Sequence, residues 1–366
     1  MNTTPDSWHG EAIFRTVRAT RPVAHIDSLD DAATLANEGF WVVVARFEGG
    51  FDAWRMDTVE YRDETHGSLG DGAAWHGPHP DSWATSLDEA QYIAGVNNVR
   101  AHIREGDVYQ VNLCRILHAP FHAPKPGAAS ALRRYLQEGN PSRYAASIDI
   151  SASGSPERAC AWVVSASPEL YLSVDGATVN SSPIKGTAAP GADMLPKDEA
   201  ENVMITDLVR NDLSHVAKPG SVAVTEFLGL HHLPGLQHLQ STVSVELTDE
   251  LSWAPRMWQA LFDGTFPPGS VSGAPKSSAL RIIQREERED RGPYCGAIGW
   301  IDADRRRAEL AVGIRTFWWE PDHGGTLRFG TGAGITWGSD AQAEWEETEL
   351  KASRLIALAS AGTMTP

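Results

Sequence analysis

Apolar residues recur along this chain in two rhythms. From Leu87 onward, Tyr92, Ile93, Val96, Val99 and Ile103 fall at the three-and-four spacing of one helix face, and Gly106 follows as a stop. The same spacing predicts helices over 131–136, 197–213, 276–287 and 341–359. In the last of these, Trp345, Ala352, Leu355, Ile356 and Ala359 make the apolar stripe, while Glu344, Glu347 and Lys351 share another face. Strand-like segments are predicted at 40–47, 108–117, 162–174, 296–302, 309–319 and 326–335. A Pro-rich loop is expected at 120–129 and a Gly/Pro loop at 266–275. Many strands with inserted helices and no regular strand–helix alternation favour an α+β fold over a doubly wound sheet. Residues 1–90 read as the N-terminal part of the same domain as residues 91–366.

Composition narrows the class. The chain has 366 residues and is 42% hydrophobic, enough for a sizeable core, and no stretch of about eighteen apolar residues is present to span a membrane. A formal charge of −17 argues against nucleic-acid binding, which needs basic surface. An anionic substrate would therefore need a locally built positive site. The polar N-terminus does not read as a signal peptide. Cys114, Cys160 and Cys295 form no CxxC pair, which fits a reducing cytoplasm.

Several side chains are candidates for chemistry. Lys185 lies in Ser-Pro-Ile-Lys-Gly-Thr (182–187), flanked by Pro183 and Gly186, so the backbone there is shaped. An ordinary lysine is a solvated charge, whereas a buried one loses its proton readily and becomes a nucleophile. Glu169, in Ser-Pro-Glu-Leu, is either an exposed strand-end carboxylate or a desolvated general acid. The run Gly330–Gly334 either turns tightly before the last helix or lets backbone amides approach an anion; it is not a dinucleotide fingerprint. Glu201 and Glu347 lie on separate predicted helices and alone read as surface charges. Arg315 interrupts an apolar strand, paired structurally or recognising a carboxylate. His238 reads first as a hydrogen-bonded core histidine.

Taken together, the segments GDVYQVNLCR (106–115), SPELYL (167–172), SPIKGT (182–187), AENVMITDLVRNDLSHVAKPGSV (200–222), HLQSTV (238–243), FPPGSVSGAPK (266–276), YCGAIGW (294–300), GIRT (313–316) and TGAGITWGSDAQAEWEETELKA (331–352) resemble the chorismate-utilising enzymes. That family includes anthranilate synthase component I, aminodeoxychorismate synthase component I, and the isochorismate and salicylate synthases. The resemblance implies an α+β fold of two antiparallel β-sheets packed as a sandwich, with helices outside and the site between. Gln110 stands where the isochorismate and salicylate synthases carry a water-activating lysine, which disfavours water as the nucleophile. Anthranilate synthases usually carry alanine where Lys185 stands, and the Pro-Ile-Lys-Gly-Thr form is similar to aminodeoxychorismate synthase component I.

The resemblance further implies Lys185 as nucleophile and Glu169 as acid. It implies Mg²⁺ held by Glu201 and Glu347 with Glu344 nearby. Substrate is expected at Gly186, Thr187, His238, Arg315, Lys351 and the amides of Gly332, Ala333 and Gly334. The implied reaction converts chorismate and ammonia to 4-amino-4-deoxychorismate, with ammonia from a separate glutamine amidotransferase subunit, since no Gly-x-Cys-x-Gly elbow is visible. Anthranilate synthase is the alternative, and a catalytically silent chorismate-binding subunit a third reading. The chain departs from the family at 188–191, where arginines are usual, and at 336–339, before the last helix.

Overall fold

A computed structural model describes residues 8–62, 74–152, 161–188, 191, 193–194, 196–233 and 236–361. Cys160 and residues 189 and 190 of the departing loop lie outside them. The N-terminal part supplies β1 (Trp8–Ile13), β2 (Val17–Ile26), β3 (Phe40–Ala45) and β4 (Phe51–Tyr61). Then come β5 (Ala84–Thr85), α1 (Glu89–Glu105), β6 (Gln110–Pro120), α2 (Ala128–Gly139), β7 (Tyr144–Ala152), β8 (Ala161–Ser167), β9 (Leu170–Asp175), β10 (Thr178–Ser182) and β11 (Ile184–Ala188). The C-terminal half runs α3 (Pro196–Ser214), β12 (Ala223–Leu233), β13 (Leu236–Glu246), α4 (Met257–Thr265), β14 (Gly273–Ala274), α5 (Lys276–Glu286), β15 (Ala297–Asp302), β16 (Arg307–Val312), β17 (Thr316–Glu320), β18 (Thr326–Ile335) and α6 (Ala341–Ser360).

Among the described residues every strand pairing is antiparallel, and the strands join in one long ribbon. Its neighbour order is β12-β13-β10-β9-β16-β15-β3-β4-β2-β1-β7-β8-β17-β18-β6, with β11 also on β13, and β5 and β14 on β6. The ribbon's two ends meet: a Cβ placed on Gly334 of β18 would lie 3.8 Å from the Lys185 Nζ of β11. Helices cover it from outside, with α1 and α6 against β6 and β18, α2 against β7 and β8, and α3 against β11 and β13. The N-terminal strands are woven in, since β3 pairs β15 and β1 pairs β7. No helix among the described residues is long and apolar enough to cross a membrane.

Local sequence explains where elements start and stop. Asp88 and Gln91 cap the start of α1 reciprocally, and Gly106 closes it at φ 85°, where a side chain is disfavoured. The single strand expected at 162–174 is two, β8 and β9, parted at Pro168–Glu169, because proline cannot donate to the ladder. The strand expected at 309–319 is likewise two, parted where Arg315 takes φ 53°. Both breaks carry a candidate site residue. The turn reading of Gly330–Gly334 does not hold, because these residues lie inside β18, paired to Ile116–Asn112 of β6. Glycine is required there for space: a Cβ on Gly332 would meet Cys114 Sγ at 2.6 Å, and one on Gly334 would meet Gln110 Nε2 at 2.4 Å.

Candidate active site

The break before β9 aims Glu169 inward. Ser167 Oγ donates to Val312 O at 2.6 Å and accepts from Glu169 N at 3.2 Å, which clamps the turn. The Glu169 side chain is buried and accepts a 2.5 Å hydrogen bond from Ser270 Oγ. Burial pushes its carboxyl up to about 7, against the opposing pull of Ser270, Lys185 and the Ile184 amide. A carboxyl with that affinity holds a proton to donate near neutral pH.

Lys185 comes from β11, where the ladder to β13 slips between Lys185 and Thr187. Gly186 sits in the slip at φ 75°, and a Cβ there would meet Asp198 Cβ at 2.6 Å, so neither its dihedral nor α3 leaves room for a side chain. Lys185 Nζ donates to Ser270 O at 3.0 Å. Burial lowers its proton affinity, while Glu201, Glu169 and Glu347 raise it and Lys351 lowers it; the net direction is down. Ser270 thus grips nucleophile candidate and acid candidate together, through its carbonyl and its hydroxyl.

The expected acidic residues converge beside Lys185. Lys197 lies one helical turn before Glu201 on α3, and its Nζ stands 3.7 Å from Glu201 Oε1 and 3.4 Å from Glu344 Oε1 of α6. Burial works against that ammonium, but Glu344 and Glu201 hold its proton affinity above the usual lysine value. Burial also raises Glu201, outweighing Lys185 and Lys197. Glu347 is held low: burial opposes its charge, but Lys351 at 2.6 Å, with Lys197 and Lys185, prevails. Lys351 also donates to Gly332 O at 3.1 Å.

These carboxylates suit a hard cation. Glu201 Oε1 and Glu344 Oε2 are buried oxygens without a hydrogen-bond partner, the atoms that a divalent ion with retained waters would satisfy. The one trio among the described residues with ligand atoms within 4.8 Å of one another is elsewhere, the largely exposed His102, Glu105 and Asp107. The glutamates instead stand spread around Lys197 and Lys351.

Arg315 and His238 lie close enough to interact electrostatically. Burial lowers the Arg315 guanidinium, and no hydrogen bond or ion pair to it occurs among the described residues. A guanidinium so placed is a candidate receptor for a carboxylate. His238, on β13, stacks on His231 with centroids 5.8 Å apart and is lowered to about 4 by burial, His231 and Arg315, so it is neutral near pH 7. Its backbone lies opposite Thr187 in the ladder. Gln110, from the start of β6, is 1% exposed with Oε1 unpartnered, and its amide nitrogen packs on Gly334.

Lys185, Glu169, Glu201, Glu344, Glu347, Lys351, Arg315, His238, Gly186 and Gly332–Gly334 therefore share one neighbourhood. Sequence reading assigned no role to Ser270 or Lys197. Lys197 carried a readable signal, its four-residue spacing to Glu201; Ser270 carried none beyond lying in a Gly/Pro-rich segment.

Residues 63–357 match the model of the chorismate binding enzyme family. The chain belongs to that family. Anthranilate synthase component 1 of Streptomyces coelicolor is 35% identical over 286 residues, covering 75% of this chain and 52% of that protein. Aminodeoxychorismate synthase component 1 of Klebsiella aerogenes is 32% identical over 288 residues, covering 75% and 59%. The chain thus spans somewhat over half the length of these relatives. Among solved structures, anthranilate synthase component I of Streptococcus pneumoniae superposes with a TM-score of 0.75 at 22% identity, covering 97% of this chain and 93% of that one. The menaquinone-specific isochorismate synthase MenF of Escherichia coli gives 0.75 at 18% identity, covering 98% and 90%. These likenesses establish the α+β chorismate-utilising fold; sequence identity leaves two activities side by side.

Proposed function

We propose that the chain aminates chorismate at C4, as the component I of an aminodeoxychorismate synthase, with ammonia delivered by a separate glutamine amidotransferase subunit. The observation that carries this reading is the half-buried Lys185 amine, depressed in proton affinity and held on the Ser270 carbonyl beside the buried Glu169 carboxyl, which is pushed up to about 7. A chain whose chemistry was direct attack of ammonia at C2 would have no use for that amine.

Uncharged Lys185 adds through Nζ to C2 of the ring, and the C2–N bond forms as the ring double bonds shift. The C4–O bond breaks, and the Glu169 proton leaves with the hydroxyl as water. The new secondary ammonium sheds its extra proton to the Glu169 carboxylate, which resets the acid. Ammonia then adds at C4, the double bonds shift back, and the C2–N bond breaks. Lys185 takes up a proton from the incoming nitrogen and departs as the free amine. The sum is chorismate and ammonia to 4-amino-4-deoxychorismate and water. Two easier substitutions replace one hard one.

Arg315 binds one substrate carboxylate bidentately, and Lys351 supports it from α6. Mg²⁺ at Glu201, Glu344 and Glu347 would neutralise the other carboxylate in a chain of strongly negative charge. His238, neutral near pH 7, packs beside the substrate without adding charge. Gln110 accepts hydrogen bonds through its free Oε1 but is no base, so water stays inactive.

Incubation with chorismate, ammonium and Mg²⁺, read by mass spectrometry, tests the reading. 4-Amino-4-deoxychorismate supports it; anthranilate with pyruvate assigns the chain to the other activity found among its relatives.

A further inference from the structure

A groove lies beside Phe266 and Pro267, at the start of the segment that carries Ser270. It has a volume of about 760 Å³, in the range of small-molecule sites, and opens between the turn after β3, the C-terminal end of α4 and the outer face of α5. Its floor is apolar, formed by Phe47, Phe262, Phe266, Leu280 and Ile283. Its rim is acidic, with Glu48, Asp263, Glu287, Glu289 and Asp290 against the single Arg288. Arg291 neutralises Glu287 and Arg328 neutralises Glu289. The Arg291 and Gly292 amides hold the Glu48 carboxyl, at 2.7 and 3.1 Å, while burial and Asp290 push it up. Asp263 and Asp290 have no side-chain ion pair among the described residues. The Arg291 guanidinium already stacks on the Phe47 ring at 4.2 Å, so the excess negative charge faces Phe262 and Phe266, a combination that favours a cation with an apolar body.

The groove is bonded to the chemistry. Phe266 and Pro267 line it, and three residues later Ser270 holds both Lys185 and Glu169. From the opposite wall, Glu287 accepts from Cys114 N and fixes Arg291, which donates to Val271 O and Asn112 O. A ligand here presses on both segments that shape the pocket.

We propose that this groove binds an organic cation, a quaternary or protonated amine on a flat apolar body, and that occupancy resets turnover by moving the Phe266–Val271 segment. The groove itself stands apart from the proposed reaction; only the effect on turnover rests on it. Phenethyltrimethylammonium is a suitable probe, because it is permanently charged and cannot replace ammonia. Calorimetry on the full chain should show saturable millimolar or tighter binding. Affinity should fall at least tenfold in the rim double variant Asp263→Asn/Asp290→Asn, and 2-phenylethanol, which lacks the charge, should bind at least tenfold more weakly. No saturable binding, or binding indifferent to the rim variant, overturns the site. Saturating probe should change the rate with chorismate and ammonium at least twofold in the parent chain and leave the rim variant unchanged; an unaltered parent rate overturns the coupling. If the chain fails to turn over chorismate at all, the proposed function falls, while calorimetry still judges the groove.

Discussion

Replacing Glu169 with glutamine should weaken the enzyme and strengthen the fold at the same time. In the folded chain burial holds the carboxyl at about 7, against an ordinary 4.5. Between those values the native state keeps a proton that the unfolded chain has released, so stability falls as pH rises through that window. The gap corresponds to about 3 kcal/mol, lost in full once pH passes above 7. Glutamine accepts the same Ser270 hydrogen bond and never ionises, so Glu169→Gln escapes the loss. Urea unfolding of both proteins at pH 4 and at pH 8.5 isolates the effect, because titrations not coupled to position 169 cancel in the difference, and the coupled group Lys185 is held constant by repeating the pair in a Lys185→Met background. The variant should gain about 3 kcal/mol on the parent across that interval. Turnover should drop roughly 10²–10⁴-fold, the usual worth of a general acid. Parallel pH dependences in the two proteins would refute the buried-acid argument, and unchanged turnover would remove Glu169 from the chemistry.

Other outcomes follow from the same geometry. Lys197→Met removes a cation competing for Glu201 and Glu344, and should tighten Mn²⁺ binding about tenfold or more, read by electron paramagnetic resonance without substrate; weaker binding would mean that Lys197 supports the ion. Arg315→Gln should raise the chorismate KM roughly tenfold to a hundredfold, the worth of a charge-assisted pair, with little change in thermal stability. Gly334→Ala should cut turnover more than it lowers Tm, since its methyl would displace the Gln110 amide, 2.4 Å from the added Cβ, next to the Lys185 amine.

How far the sequence reveals the fold depends on the element. Helix α1 was readable from its apolar stripe and Gly106, and α6 from its stripe and its acidic face. Strands β2 and β4 were not: their burial drifts from core to solvent along the strand, so neither alternates cleanly. The kinks at Glu169 and Arg315 were hidden because flanking residues on both sides read as strand. Gly330–Gly334 left a tight turn and an anion approach both open because its glycines answer to side chains on β6, a contact absent from local sequence. The candidate site residues were legible as an ordered set of motifs, but the hydrogen bonds that join them were not. Ser270 acts through one carbonyl and one hydroxyl, and no residue type signals that in advance.

The central claim is that Lys185 bonds to the ring. Chorismate and Mg²⁺ without any ammonium should trap the intermediate, and intact-protein mass spectrometry should find the chain heavier by chorismate less one water, with the added mass on the peptide carrying Lys185. Ammonium should discharge the adduct to 4-amino-4-deoxychorismate, and Lys185→Ala should show neither adduct nor product. An unmodified chain, together with undiminished amination by Lys185→Ala, would contradict the account.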